Sequence, residues 1–332
     1  MLPVALIGMG PVGRKVADDL IRRRIGRIVA AIDSDSSLIG NELSEIVPSA
    51  PAGTVLCSVP GEVDDWKSIR CAIVTTSSDL ELCIDTFRDL LTRGCNVIST
   101  CEELSWPWLR HPILAQELHE LAVKNRARIL GTGVNPGFLM DAFPVALSTV
   151  CHSVDRIRVE RIQDASSRRL PFLRKIGVGL DETAFAERVS DGSLRHAGLG
   201  ESLHFLAHYL GKKLDRWEES IEPLFAEEAL DSGLGRVEAG HSRGVHQVAR
   251  GYVGDEVVVE LVFHAALAEP DPLDRIVIEG EPGFEMRITN GIHGDVGTSA
   301  VLLNSIRPLI VSEPGLHTMA TVPLQGSAVR LG

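Results

Sequence analysis

The sequence predicts an α/β chain: a doubly wound parallel sheet followed by a second α+β domain. Three observations predict it. A glycine-rich turn, Gly8-Met9-Gly10-Pro11-Val12-Gly13, separates a short apolar run from a helical pattern. Apolar runs then alternate with helical periodicity to about residue 134, as buried parallel strands joined by helices do. Beyond that stretch apolar and polar residues alternate, as in strands with one face in a core.

The elements follow in order. Val4-Ala5-Leu6-Ile7 reads as a strand, the helix after the glycines carries Val16, Leu20 and Ile21, and Ile28–Ile32 is a second strand ending at Asp33. Gly8 allows the tight turn, Gly10 lets a pyrophosphate approach the backbone, and Gly13 lets helix pack on strand. Asp33 follows Gly13 by 20 residues, the spacing of a carboxylate that accepts hydrogen bonds from an adenosine ribose. Strand, turn, helix, strand and acid in this order define a Rossmann-type dinucleotide site. Gly8, Gly10, Pro11, Val12, Gly13, Asp33 and Ser34 are its first residues. A carboxylate here repels a 2′-phosphate, and Ser34 and Asp35 add no arginine. NAD or NADP is therefore expected, with NAD slightly favoured.

Further on, Cys71–Val74 precedes Thr75–Ser78, and a helix presents Leu80, Cys83, Ile84, Phe87 and Leu91 on one face before Gly94. Asn96–Ser99, a helix around Leu114–Lys124 and the strand Ala127–Leu130 complete the first domain, 1–137. A helical stretch from Phe138 to Val150 opens the second, 138–295. There Val154, Ile157, Val159, Val257–Phe263 and Ile276–Ile278 suggest an antiparallel sheet, with helices near 181–190 and 200–211. A last helix, Val296 to Leu309 within 296–332, is a candidate to return to the first domain.

A chain of 332 residues accommodates two domains. Its net charge of −12 argues against nucleic acid and anionic membrane surfaces as partners. No apolar run approaches a membrane span, no signal peptide is visible, and six cysteines lack any CxxC or zinc spacing. A reduced cytoplasmic protein without a metal is expected.

Ligands of open parallel sheets bind outside the carboxyl ends of the strands. Three loops occupy that edge: Thr75–Ser78 with Thr76 and Ser77, Ser99–Glu103 with Thr100 and Cys101, and Gly131–Gly137 with Asn135. The second delivers two acids, Glu102 and Glu103, towards the place of a nicotinamide; either could serve in proton transfer or open the next helix. Asn135 offers an amide for the nicotinamide carboxamide. His196 and His293 lie in glycine-containing turns, where a structural role is the more frequent one. No GxSxG elbow appears.

Several long motifs together resemble one family: AIDSDSSLIGNEL, STCEELSWP, GTGVNPGFLMDAFP, RIQDASSRRLPFLRKIGVG, NGIHGDVGTSAVLLNSI and PGLHTM. It comprises the 2,4-diaminopentanoate dehydrogenases and related native amine dehydrogenases, often labelled dihydrodipicolinate reductase-like. The resemblance spans nearly all of residues 3–323. It implies NAD(P)-dependent reductive amination of a ketone or aldehyde by ammonia, the reverse oxidative deamination, and a homodimer. It places the catalytic acid on Glu102 and sets Phe138 beside the nicotinamide. It also implies a substrate wall of Phe138, Leu139, Met140, Ser167, Leu173, Ile176, His196 and Thr298. The paired histidines and KxDxPSGT segment of true dihydrodipicolinate reductases are absent. Two other readings stand beside it: a dedicated 2,4-diaminopentanoate dehydrogenase, whose substrate carboxylate needs a cation such as Arg161 or Arg168, and a nucleotide-binding sensor without chemistry.

Overall fold

The structure is a computed structural model that describes residues 1–327. It divides into two compact units, Met1–Phe138 with the segment from Gly294 onward, and Leu139–His293.

The first unit starts with β1 (Leu2–Ile7), α1 (Pro11–Arg22), β2 (Gly26–Ile32), a short α2 (Leu43–Ile46) and β3 (Leu56–Cys57). It continues with β4 (Cys71–Val74), α3 (Leu80–Thr92), β5 (Asn96–Ser99), α4 (Pro112–Lys124) and β6 (Arg128–Gly131). Its strands are apolar on both faces because helices cover both, and residues such as Val4, Ile73 and Val97 are wholly buried. The expected face of α3 is buried through Leu80, Cys83, Ile84, Phe87 and Leu91. Asp79 caps that helix by accepting from the N–H groups of Glu81 and Leu82. Gly94, at φ +73°, ends the following turn, its N–H donating to Leu91 O at 2.9 Å.

The second unit contains α5 (Phe143–Ser148), β7 (Ser153–Asp164), α6 (Leu170–Lys175), α7 (Glu182–Ser190), α8 (Leu199–Tyr209) and β8 (Arg216–Phe225). The hairpin β9 (Leu230–Ser232) and β10 (Gly235–Val237) follows, then β11 (Ser242–Val253), β12 (Glu256–Ala266), β13 (Leu273–Glu281) and β14 (Phe284–Thr289). The chain then returns to the first unit with α9 (Gly294–Val311) and β15 (Gly315–His317). There α9 lies against α1, where Ser299 Oγ donates to Asp19 Oδ2 at 2.6 Å.

All seven strands of the first sheet run parallel in the order β15-β6-β5-β4-β1-β2-β3. The order reverses between β1 and β4, which makes the carboxyl edge at those strands the ligand-binding switch point of such a sheet. The second sheet has the order β14-β13-β7-β12-β11-β8. It corrects the antiparallel expectation: its central pair, β7 and β12, is parallel, and the other pairings are antiparallel. Side-chain alternation has a period of two in either direction, so it cannot tell strand sense. The helix expected from Phe138 is also shorter as a regular α-helix. Val134–Ala142 winds more widely and is kinked where Asn135 and Pro136 are extended and Gly137 sits at φ +124°.

Candidate active site

The backbone ladder continues past the strand ends of the first sheet. Gly8 N–H donates to Ile32 O at 2.9 Å, Thr75 N–H to Ile7 O at 2.8 Å, Thr100 N–H to Val74 O at 3.0 Å and Thr132 N–H to Ser99 O at 2.8 Å. These four loops and the one after β2 therefore lie side by side at the carboxyl edge, carrying the cofactor residues expected from sequence.

The glycine turn has the shape that a dinucleotide phosphate requires. Gly8 sits at φ +93°, and a Cβ there would stand 2.9 Å from the Thr75 carbonyl. One on Gly13 would fall 1.9 Å from Gly8 O, so only glycine lets α1 begin this close to the loop. A Cβ on Gly10 would meet nothing within 4 Å, which leaves open space over the turn. Helix α1 starts with Pro11 at its first position and no side-chain cap on its N-terminus, so its first-turn N–H groups suit an anion. Asp33 stands at the end of β2 with Oδ2 accepting from Met9 N–H at 2.5 Å and Oδ1 from Asp35 N–H at 2.9 Å. Pro11, Ser34 and Thr76 are exposed, and Val12 and Ser77 are half-buried. On these grounds the residues present fit a nicotinamide dinucleotide.

The acidic loop separates its two carboxylates clearly. Glu103 is buried; Oε2 accepts from Leu80 N–H at 3.0 Å and lies 3.1 Å from His111 Nε2. Arg110 stands 4.0 Å from its other oxygen. Glu103 thus ties the loop to the start of α3 and to the segment before α4. Glu102 is half-buried, and its carbonyl accepts from Ser105 Oγ at 2.7 Å. Cys101 turns its thiol inward, to Ser78 O at 3.3 Å and to the Cys83 thiol. A Cβ at Gly131 would stand 2.5 Å from the Leu104 carbonyl carbon; glycine there lets the third loop approach the second.

In that third loop Thr298 Oγ1 accepts from Val134 N–H at 3.2 Å. Thr298 therefore holds the loop backbone from α9. A Cβ on Gly137 would meet Thr132 Oγ1 at 2.7 Å. Asn135 and Phe138 are half-buried.

Within the second unit, Leu139, Met140, Leu173 and Ile176 are buried, whereas Ser167 is exposed. His196 is buried, its ring stacked on Phe263 with centroids 4.0 Å apart. Gln247 holds its main chain, accepting from His196 N–H at 2.8 Å and donating to His196 O at 3.2 Å. Burial, and then the cations Lys175, Arg161 and Arg168, keep its imidazole well below its ordinary pKa of 6.5.

Arg161 is only 1% exposed and faces Asp274 across the β7–β13 pair, Nε to Oδ1 3.1 Å. Its Nη2 donates to Ile292 O at 2.9 Å, and Gln163 Nε2 donates to the same carbonyl at 3.2 Å. Arg168 Nη1 donates to Gln163 Oε1 at 3.1 Å and its guanidinium lies 3.9 Å over the Phe172 ring. Burial lowers the pKa of Arg161 to about 10, and its Nη1 has no hydrogen-bond partner among the described residues. Gln163, Gln247 and Asp274 did not stand out in the sequence. Asp274 meets Arg161 across paired strands, Gln247 reaches the turn that carries His196, and Gln163 reaches Ile292; the only local signal was a polar residue at a buried strand position.

A doubly wound dinucleotide unit with an acidic loop at its carboxyl edge, joined in one chain to a mixed-sheet unit, defines a nicotinamide-dependent dehydrogenase. Residues 138–330 match the model of the 2,4-diaminopentanoate dehydrogenase C-terminal domain. The chain belongs to that family. It is 29% identical over 331 residues to 2,4-diaminopentanoate dehydrogenase of Acetoanaerobium sticklandii, covering 97% of this chain and 93% of the relative. It is 28% identical to an amine dehydrogenase of Streptomyces virginiae, over 68% of this chain and 67% of that one. Among solved structures, amine dehydrogenase from Mycobacterium smegmatis aligns with a TM-score of 0.87 at 22% identity, covering 98% and 97% of the two chains.

Proposed function

We propose that this chain is an NAD(P)H-dependent amine dehydrogenase, which aminates a ketone or aldehyde with ammonia and deaminates the amine in reverse. The observation that carries the reading is the division of labour in the acidic loop. Glu103 is committed to holding the loop, and Glu102 stands next to it at the carboxyl edge of the dinucleotide sheet. Glu102 takes a proton from ammonium or its adduct with the carbonyl and passes it to the departing water. As an anion it also stabilises the cationic iminium more than a neutral carbonyl. When bound, the nicotinamide supplies or accepts the hydride. Gly8, Gly10, Val12, Gly13 and Asp33 hold the dinucleotide, and Asn135 orients its carboxamide.

With reduced cofactor and a panel of small ketones and aldehydes, oxidation of the cofactor is expected only when ammonium is present. Equal rates without ammonium would mark an alcohol dehydrogenase instead. A second reading, a dedicated 2,4-diaminopentanoate dehydrogenase, is favoured by Arg161, buried with Nη1 unpartnered among the described residues. Such a guanidinium suits a carboxylate. Turnover of amino-keto acids far above that of carboxylate-free ketones in the same panel supports it, and the reverse ratio sinks it.

The oligomer is proposed to be a homodimer. One face of the second sheet interlocks Arg156 with Glu260 at 2.6 Å, Arg158 with Glu160 at 2.6 Å, and Arg250 with Glu260 at 3.0 Å. This nearly charge-balanced surface, in a chain of net charge −12, suits a second copy of itself. A light-scattering mass of one chain would refute this. All six cysteines are free thiols, which suits a cytoplasmic setting. Among the described residues no helix is long and apolar enough to cross a membrane.

A further inference from the structure

Charge decides which dinucleotide a Rossmann site accepts at its ribose end. NADP carries a phosphate where NAD has the 2′-hydroxyl, and an acid at the end of the second strand repels it. Asp33 occupies that place, but the surrounding groups temper its charge. Each of its oxygens already accepts a backbone N–H, from Met9 at 2.5 Å and from Asp35 at 2.9 Å.

The residues after β2 supply no compensating cation, but α1 does. Arg14, one residue past the last glycine, donates from Nε to Met9 O at 2.7 Å. The same residue, Met9, is therefore held by Asp33 at its N–H and by Arg14 at its carbonyl. The guanidinium also acts on Asp35, two residues past the acid. Asp35 is held below its ordinary carboxyl value first by hydrogen bonds from Ser37, and Arg14 adds to that lowering. The Nε bond is the one side-chain hydrogen bond Arg14 makes among the described residues. Its two terminal nitrogens keep their donors for a ligand, and Ser34, which directly follows Asp33, is exposed. A forked guanidinium is the chemistry that receives a phosphate monoester.

We propose that Arg14 is a specificity-determining residue that receives the 2′-phosphate of NADP, so that the site takes both dinucleotides despite Asp33. The inference rests on the dinucleotide reading given above.

Calorimetric titration of the full-length protein tests it without turnover. NADH and NADPH are the ligands, and ADP and adenosine 2′,5′-bisphosphate are probes that differ by the phosphate in question. The unmodified protein should bind NADPH within roughly tenfold of NADH. A charge-assisted pair of this kind contributes enough that Arg14→Gln should weaken NADPH about tenfold or more. NADH should stay within roughly threefold under the same principle, which also shows that the variant is folded. Arg14→Lys should recover part of the NADPH affinity. Equal losses for both dinucleotides would overturn the proposal and leave Arg14 a brace for Met9. Undiminished NADPH and bisphosphate binding in Arg14→Gln would overturn it as well. Failure of the unmodified protein to bind either dinucleotide is a different result, and would remove the dinucleotide reading itself.

Discussion

The two units build their polar sites by different means. At the carboxyl edge of the first sheet, loop backbone carries much of the work: N–H groups at the start of α1, glycines that admit close approach, and carboxylates held by N–H donors. In the second unit, side chains from strands and the turns beside them are buried with their charges. Arg161 pairs with Asp274, and Gln163, Arg168 and His196 are buried too. Loop backbone at an edge stays near water and needs little compensation. Removing one partner from a buried ion pair costs about 3–5 kcal/mol, so the second unit couples any change in its site to its stability. Substitutions of half-buried edge residues in the first unit should therefore alter function with little effect on folding, whereas those of buried charged groups in either unit should also lower stability.

The largest expected effect sharpens the first half of that contrast. Glu102→Gln keeps shape and hydrogen bonding but removes the base and the negative charge. Amination turnover should fall by about 10² or more, with cofactor affinity changed only a few-fold and thermal stability nearly unmoved. Glu103→Gln leaves an amide in place of the carboxylate that accepts from Leu80 N–H and meets His111. It should cost less turnover and more stability, because a buried anchor is weakened. Steady-state kinetics and melting curves on both variants decide the matter. A reversed order in turnover would move the catalytic assignment to Glu103.

The same contrast explains what could be read in advance. Gly8, Gly10, Gly13 and Asp33 are informative in a linear sequence because strand, turn and helix geometry links them over a few dozen residues. The first sheet, though not its strand order, was legible from runs such as Cys71–Val74 and Asn96–Ser99, which are buried on both faces. Arg14 escaped attention because a cation was sought after β2, whereas the fold brings one from α1. In the second unit Arg161 and Asp274 are more than a hundred residues apart and meet only through the β7–β13 register. Gln247 reaches His196 from β11, which the alternation had not marked as a strand. The parallel pairing of β7 with β12 was illegible for a similar reason, since α6 to α8 and β8 to β11 intervene.

The smallest expected effect tests the coupling of site and stability in the second unit through His196. Its folded pKa lies well below 6.5, first because of burial and then because Lys175, Arg161 and Arg168 are cationic neighbours. In the unfolded chain a histidine protonates near its ordinary value, about 6.5. As pH falls below that value the unfolded state binds a proton that the folded state refuses, so stability falls with a limiting slope of about 1.4 kcal/mol per pH unit. Above about pH 7.5 both states are neutral there and the contribution is flat. Urea unfolding at pH 7.5 and 5.5 should show the unmodified protein losing about 1 kcal/mol more than His196→Gln across the interval. The variant also forfeits the stack on Phe263, which lowers its stability at both pH values and cancels in the difference. Identical pH losses in the two proteins would mean that His196 takes up its proton while folded, and the buried neutral imidazole would have to be abandoned.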